Sequence, residues 1–269
     1  MSILLTGCAG FIGSHAVDYF LERGLKVVGV DSLTYAANME NLKEAMTSPN
    51  FTFYEKDITE TEEVYTICKA HEVKWIFNFA AETHVDNSIN CIDNFVHSNI
   101  TGVISLLKVC KKSNIKIFHI STDEVYGSIV EGSFSEENVL NPTNPYSATK
   151  AASEHLIKSF SNTYGIKYII ARPSNNFGPR QHSEKLIPKV VECFTRGKKA
   201  PIYGDGKNIR DWLYVKDNVR IIFDIWRVSE ENKTYNISLS QEIENIEIIK
   251  KISKIMDVDF NTNTKYVKD

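Results

Sequence analysis

The chain has 269 residues, 42% hydrophobic and 24% charged, long enough to close a core without disulfides or a structural metal. Its 31 Lys and Arg against 34 Asp and Glu leave a formal charge of −3, which argues against a nucleic-acid binder working by gross charge. No apolar run approaches the roughly 18 residues that span a bilayer, and Met1–Leu5 lacks the basic start of a secretory leader.

In chain order, Ile3–Thr6 reads as a buried strand and Phe11–Arg23 as a helix, with Gly24 at its stop. Strands follow at Lys26–Asp31 and Phe51–Tyr54. Thr59 and Glu62 stand at capping-box spacing before a helix that runs to about Ala70. Lys74–Ala81 is a fourth strand, Cys91–Ser113 a long helix and Ile115–Ser121 a fifth strand. Asn144-Pro145 fits an N-cap and a first-turn proline for a helix to about Tyr164, and Ile166–Arg172 is a sixth strand. Strand alternating with helix predicts parallel strands joined by crossovers, and the near-continuous apolar strands predict a sheet covered on both faces. The fold class is therefore α/β, a doubly wound parallel sheet of the Rossmann type with a smaller C-terminal lobe. The expected division is 1–172 for the dinucleotide-binding domain with the catalytic residues and 173–269 for the lobe, from which a strand and helix could return to the first domain. The five cysteines form no CxxC pair and the seven histidines no HxxxH spacing, so reduced thiols, a cytoplasmic setting and no metal are expected.

Gly7, Gly10 and Gly13 form a G-x-x-G-x-x-G run between the first strand and first helix. Such a turn brings backbone N–H groups and the positive end of a helix dipole to a pyrophosphate. Asp31, ending the second strand, could accept both hydroxyls of an adenosine ribose and would repel a 2′-phosphate, favouring NAD over NADP; the alternative is a turn aspartate before Ser32. Asp57 and Ile58 could hold the adenine edge, and Phe79, Ala80, Ala81 and Glu82 end the fourth strand where a cofactor backbone would pass. Tyr146 and Lys150, four apart on a helix, share one face. A nearby ammonium would lower the phenol's pKa and let Tyr146 act as a base on a sugar hydroxyl. Thr122-Asp123-Glu124 follows the fifth strand. A carboxylic acid beside a carboxylate suggests elimination, one giving a proton to a leaving hydroxyl and the other removing a carbon-bound proton; the alternative is a solvated acidic turn.

The segments TGCAGFIGS, AAETHVDNSI, STDEVYG, YSATK, RPSNNFGPRQHSEKLIP and PIYGDGKNIRDWLYVKD together resemble the extended short-chain dehydrogenase/reductases. They are most similar to the dTDP-glucose 4,6-dehydratases, from about residue 2 to 220. The resemblance implies a nucleotide-sugar 4,6-dehydratase in which Tyr146 takes the O4 proton as C4 is oxidised. Glu124 removes the C5 proton acidified by the 4-keto group, Asp123 protonates the departing C6 hydroxyl, and NAD is recycled each turnover. Thr122 would hydrogen-bond O4, and Lys150 would hold the nicotinamide ribose. Further cofactor contacts are implied for Phe11, Ile12, Ser32, Leu33, Thr34, Ser98 and Asn176. Thr83 and Asn175 would touch the sugar-nucleotide, while Lys185, Leu186, Pro201, Ile202, Tyr203 and Asn245 would frame the base, ribose and phosphates. Arg210 would clamp the diphosphate; a surface pairing with Asp211 is the alternative.

Departures accompany the resemblance. Relatives carry Arg where this chain has Asn87 and His where it has Asn218, and they continue past Tyr266–Asp269 with an Arg-Pro-Gly-His-Asp segment and further helices. The expectation is an intact mechanism with looser or altered nucleotide-sugar selectivity. UDP- or dTDP-glucose and UDP-GlcNAc stay open as substrates, as does inversion at C5. Other readings are an NAD-dependent nucleotide-sugar epimerase, which needs only Tyr146, Lys150 and NAD, and a non-catalytic NAD-binding module. Relatives pair their two long helices into a four-helix bundle, implying a homodimer; Ile104, Leu106, Leu107, Leu156, Ile157 and Phe160 could serve it or an intramolecular core equally well.

Overall fold

Strands that are apolar on both faces must be covered on both faces. The computed structural model, which describes residues 1–129 and 131–268, meets that demand with β1 (Ser2–Thr6), α1 (Phe11–Glu22), β2 (Lys26–Asp31), β3 (Phe51–Glu55), α2 (Thr61–Ala70), β4 (Val73–Asn78), α3 (Val85–Asn90), α4 (Asp93–Phe95), α5 (Val103–Ser113), β5 (Lys116–Ile120), α6 (Pro145–Tyr164) and β6 (Tyr168–Pro173). Then come β7 (Asn175–Phe177), α7 (Leu186–Thr195), β8 (Ala200–Tyr203), β9 (Ile209–Tyr214), α8 (Val215–Val228), β10 (Lys233–Ile237), β11 (Glu242–Glu244), α9 (Asn245–Ile255), α10 (Phe260–Asn263) and β12 (Thr264–Val267). They form two compact units, Met1–Pro173 with Lys216–Ile237, and Ser174–Val215 with Ser238–Asp269.

The first unit holds a seven-stranded parallel sheet in the order β10-β6-β5-β4-β1-β2-β3. The chain winds outward from β1 to β3, then crosses back to β4, so the β1/β4 boundary is the switch point where such sheets open a crevice at their C-terminal edge. Successive strand residues point to opposite faces. Ile76 and Ile117 therefore join an aliphatic core with Val64, Val103, Leu106, Leu107 and Ile157. Phe77 and Phe118, stacked at 5.2 Å, belong to an aromatic layer with Phe20 and Trp226 on the other face. Trp226 lies on α8, which returns from downstream with β10 to complete that layer; β10 lies in register beside β6.

Several elements differ from the sequence reading. The expected Thr59–Glu62 capping box does not form. The Thr59 N–H and hydroxyl both donate to Asp57 Oδ1 (2.8 and 2.7 Å), and Asp57 N–H donates to Glu60 Oε1 at 3.0 Å. The Asp57 and Glu60 carboxylates thus take the N–H groups before the helix, and α2 starts at Thr61. The helix expected over 91–113 is interrupted. Cys91 is extended after α3, and the helix resumed at Asp93 passes through a π-helical stretch, Val96–Gly102, before α5. Apolar spacing does not separate i−4 from i−5 bonding. β4 ends at Asn78, so Phe79–Ala81 leave the sheet and form the loop facing the glycine turn.

In the second unit, β9 pairs antiparallel with β11 and parallel with β7, and β8 pairs parallel with β12. Its own core, Val190, Cys193, Phe194, Ala200, Ile202 and Ile249, gathers α7, α9 and β8.

Candidate active site

The glycine turn is built by close backbone contact. Gly7 has φ +67°, and a Cβ there would lie 2.6 Å from Ala80 N; on Gly13 it would lie 2.1 Å from Gly7 O. Glycine thus seats the turn against the end of β4 and lets α1 begin directly beneath it. Gly10 N–H donates to Gly7 O and Ser14 N–H to Gly10 O. Phe11 and Ile12 open α1, half-buried. At the end of β2, Asp31 is 8% exposed. Its Oδ2 accepts Ala9 N–H and its Oδ1 accepts Leu33 N–H, both at 2.9 Å. Burial raises the Asp31 pKa and the two N–H bonds partly offset this. The carboxylate keeps lone pairs beyond those two bonds. One oxygen thus ties it to the glycine turn, and the other makes the local turn bond that the alternative reading expects. Ser32, Leu33 and Thr34 follow it, Leu33 in the left-handed region at φ 53°. Asp57 meets His97 of the π-helical stretch at 3.4 Å, and Ile58 lies against Gly102. Burial works to raise the Asp57 pKa, but the bonds from Thr59 and His97 outweigh it and leave it lowered. Ser98 sits half-buried in the same stretch.

The Thr122 hydroxyl is hydrogen-bonded to the Tyr146 phenol, and the Asp123 and Glu124 carboxyls lie within electrostatic reach of it. Asn144 caps α6 in a capping box with Ser147, and Pro145 occupies its first turn. Tyr146 and Lys150 are therefore set one turn apart, both buried. The triplet begins where β5 ends, in a single 3₁₀ turn, Asp123–Tyr126, capped by the Thr122 hydroxyl. Asn144 Nδ2 donates to Glu124 Oε2 at 3.1 Å, fastening the glutamate to the start of α6. Burial raises the Tyr146 pKa, the Glu124 and Asp123 carboxylates raise it further, and the Thr122 hydroxyl bond opposes them. This corrects the expectation that Lys150 lowers it. Lys150 Nζ donates to Ile120 O at 2.6 Å, and burial lowers its own pKa to about 8. One of the three ammonium N–H groups is thus held by the end of β5, and burial and the two carboxylates favour the neutral phenol.

Two buried residues escaped the sequence reading. Asn99 accepts Glu82 N–H and donates to Glu82 O, both at 3.0 Å, and donates to Thr149 Oγ1 at 2.9 Å. It pins the Phe79–Thr83 loop to α6. Its signal was a lone Asn on a face otherwise filled by apolar residues. His119 on β5 lies between Asn78 Nδ2 (3.0 Å) and Ser153 Oγ (3.1 Å). Thr6 donates to Asn78 Oδ1, so the amide N–H faces His119 Nδ1, and Nε2–H is left to donate to Ser153. Burial and Lys150 keep this ring neutral. Thr83 is exposed in the loop after β4.

In the second unit, Asn175 pairs with Trp212 in register, and Asn176 Nδ2 donates to Ser174 O. Lys185 is the N-cap of α7 and Leu186 its first residue. Pro201, Ile202 and Tyr203 lie on β8, with only Ile202 of the three buried. Asn245 opens α9, and its Oδ1 is buried with no hydrogen-bond partner. Arg210 is exposed and donates to Ile209 O at 2.8 Å. Asp211 points to the other face of β9 and accepts from Ser174, Leu239 and Gln241, so the Arg210–Asp211 surface pair does not form. Asn87 Nδ2 reaches Tyr35 Oη at 3.4 Å, and Asn218 is fully buried.

Comparison with known proteins accords with this geometry. The family model described as GDP-mannose 4,6 dehydratase matches residues 4–268. The low-salt glycan biosynthesis protein Agl12 of Haloferax volcanii is 44% identical over 94% of this chain and 81% of its own length. The dTDP-glucose 4,6-dehydratase of Haemophilus influenzae is 40% identical over 96% and 80%. Among solved structures, DesIV, a dTDP-glucose 4,6-dehydratase from Streptomyces venezuelae crystallised with NAD, superposes with a TM-score of 0.96 at 36% identity, covering 100% of this chain and 85% of its own. The UDP-glucose 4-epimerase of Thermotoga maritima gives 0.89 at 31% identity, with the same coverage. The chain belongs to the GDP-mannose 4,6 dehydratase family.

Proposed function

We propose that this chain is a nucleotide-sugar 4,6-dehydratase, a hydro-lyase that converts an NDP-hexose (UDP- or dTDP-glucose, or UDP-GlcNAc) to its 4-keto-6-deoxy product with NAD recycled each turnover. The observation that carries it is the Thr122-Asp123-Glu124 turn at the end of β5, with the Thr122 hydroxyl bonded to the buried Tyr146 phenol, both carboxyls within electrostatic reach of it, and Glu124 fastened by Asn144 to the start of α6. A 4-epimerase needs the phenol, Lys150 and NAD, but has no use for the acid pair.

The residues present fit NAD. The Gly7–Gly13 turn leaves no room for side chains where the backbone must approach a pyrophosphate, and Asp31 holds spare acceptor capacity beside it. Asp57, the Phe79–Glu82 loop, Ser98 and Lys150 would complete its contacts in the first unit, and Asn176 would contribute from the second. When bound, NAD supplies a positively charged ring that favours the phenolate and a reversible acceptor for two electrons. Tyr146 takes the sugar O4 proton, with Thr122 hydrogen-bonded to the same oxygen. Once C4 is a ketone, the C5–H bond is acidic; Glu124 takes that proton while Asp123 gives one to the C6 hydroxyl, and water departs. Glu124 returns its proton to C5 as the hydrogen and two electrons taken from C4 come back to C6; O4 stays a ketone in the product, and the proton held by Tyr146 makes good the one that Asp123 gave to the departing water. Thr83, Asn175, Lys185, Leu186, Pro201, Ile202, Tyr203, Asn245 and Arg210 are assigned to the sugar and nucleotide.

Replacing Asp123→Asn and Glu124→Gln tests this directly. Both variants should still oxidise C4, seen as absorbance of reduced nicotinamide on adding substrate, yet lose water at least a hundredfold more slowly. Undiminished water loss, or C4 epimerisation as the main wild-type reaction, contradicts the assignment. A cytoplasmic setting is supported by five unpaired cysteines, four of them buried; among the described residues no helix is long and apolar enough to cross a membrane. A homodimer rests on a narrower face than the sequence suggested, because Leu106, Leu107 and Ile157 serve the chain's own core. Leu156 and Phe160 are only partly buried.

A further inference from the structure

The acid pair and its base lie on different elements, and a buried network joins them. Glu154 and Arg172 are 0% and 1% exposed. Arg172 Nε donates to Glu154 Oε1 at 2.9 Å and Nη2 to Oε2 at 2.5 Å. Glu154 Oε1 also accepts the Ser121 hydroxyl at 2.6 Å, and Arg172 Nη1 donates to Tyr126 Oη at 2.5 Å. The Tyr126 hydroxyl passes its proton side to Asn236 Oδ1 at 2.7 Å, and Asn236 stands in register with Arg172 across β10 and β6. Ser121 and Tyr126 are the two flanks of the Thr122-Asp123-Glu124 segment. Glu154 lies four residues beyond Lys150 and eight beyond Tyr146, on one face of α6.

Burying an ion pair is a poor way to gain stability, since apolar residues of similar volume do as well or better. What the pair supplies is direction: both ends of the acid-bearing turn are referenced to the helix that carries the phenol. Resting on the dehydratase reading above, we propose that Glu154 and Arg172, with Tyr126 and Ser121, are positioning residues that hold the Asp123 and Glu124 carboxyls in register with Tyr146 for the elimination half of the reaction. Tyr146 and Lys150 are set by α6 itself, so C4 oxidation depends on the network far less.

The test uses the full chain with NAD. Tyr126→Phe removes one hydroxyl while keeping the ring stacked on Phe134 and under the Arg172 guanidinium; Ser121→Ala loosens the other flank. Each should lower kcat for water loss by about tenfold or more, leave KM for the sugar nucleotide and NAD affinity within about twofold, and let reduced nicotinamide build up during turnover. Equal slowing of C4 oxidation and water loss, or kcat unchanged in both, overturns the proposal. Loss of the folded state in both variants overturns it too, marking the network as structural only. Wild-type protein in the same assay separates this from the parent reading: if it releases no dehydrated product, that reading fails first.

Discussion

Gly13→Ala puts a methyl group 2.1 Å from Gly7 O and 2.9 Å from Gly7 C. Ordinary contact at a Cβ begins near 3.4 Å, so the turn or the helix must move by more than 1 Å. Both colliding atoms are backbone, and no side-chain rotation relieves the clash. Alanine is the better helix former by up to about 1 kcal/mol, but overpacking of this kind costs about 1–3 kcal/mol, so a net loss is expected. The displaced atoms are those that carry the N–H groups toward a pyrophosphate. NAD affinity should therefore fall by at least about tenfold by calorimetric titration, a shift of about 1.4 kcal/mol. Gly24→Ala is the control. Its φ of +74° makes alanine strained, but a Cβ there meets nothing within 4 Å. It should cost about 1–2 kcal/mol in urea unfolding and leave NAD binding unchanged. If Gly13→Ala bound NAD like wild type at equal stability, the assignment of this turn would be refuted.

Lys150 titrates near 8 in the fold against 10.5 when unfolded, so the native state sheds a proton that the unfolded chain keeps, and this group's contribution to stability rises with pH across that window. Relative to Lys150→Met, wild type should gain about 2 kcal/mol between pH 7 and 10; urea midpoints of both proteins at the two pH values check it, and parallel shifts refute it. Of the five cysteines only Cys91 is exposed, and burial raises the pKa of Cys8, Cys68 and Cys110. A thiol reagent should label one site in native protein and all five after denaturation, with mass mapping to Cys91. Arg210→Ala should raise KM for the nucleotide sugar by about tenfold with NAD affinity intact; an unchanged KM removes Arg210 from substrate binding.

Much of this architecture was legible because parallel strands announce themselves by apolar runs and the glycine turn by its place between strand and helix. The parallel, doubly wound arrangement of the first six strands was readable, while their order β3-β2-β1-β4-β5-β6 came from the structure. A strand and helix returning from the lobe were anticipated, but not which ones, since nothing local to Val215–Val228 says which surface its aromatic face will meet. The π-helical stretch at Val96–Gly102 was hidden because apolar spacing looks alike in both helix types. At the site, Tyr146, Lys150, Asp123 and Glu124 were visible as spacing and as a doubled carboxyl. The network through Glu154 and Arg172 was not, because it joins residues 18 apart whose charges read individually as surface features. The expected effect of Lys150 on Tyr146 erred for a related reason. Helical spacing gives proximity, but not the burial of the phenol or the carboxylates facing it, which raise its pKa.

The most direct measurement is incubation of the wild-type protein with UDP- and dTDP-glucose and UDP-GlcNAc in heavy water, with products read by mass spectrometry. The account predicts a sugar nucleotide that has lost one water, carries one solvent deuterium at C5 and accumulates without net NAD consumption. Every substrate returned unchanged, or isomerised at C4 with its water retained, would contradict it.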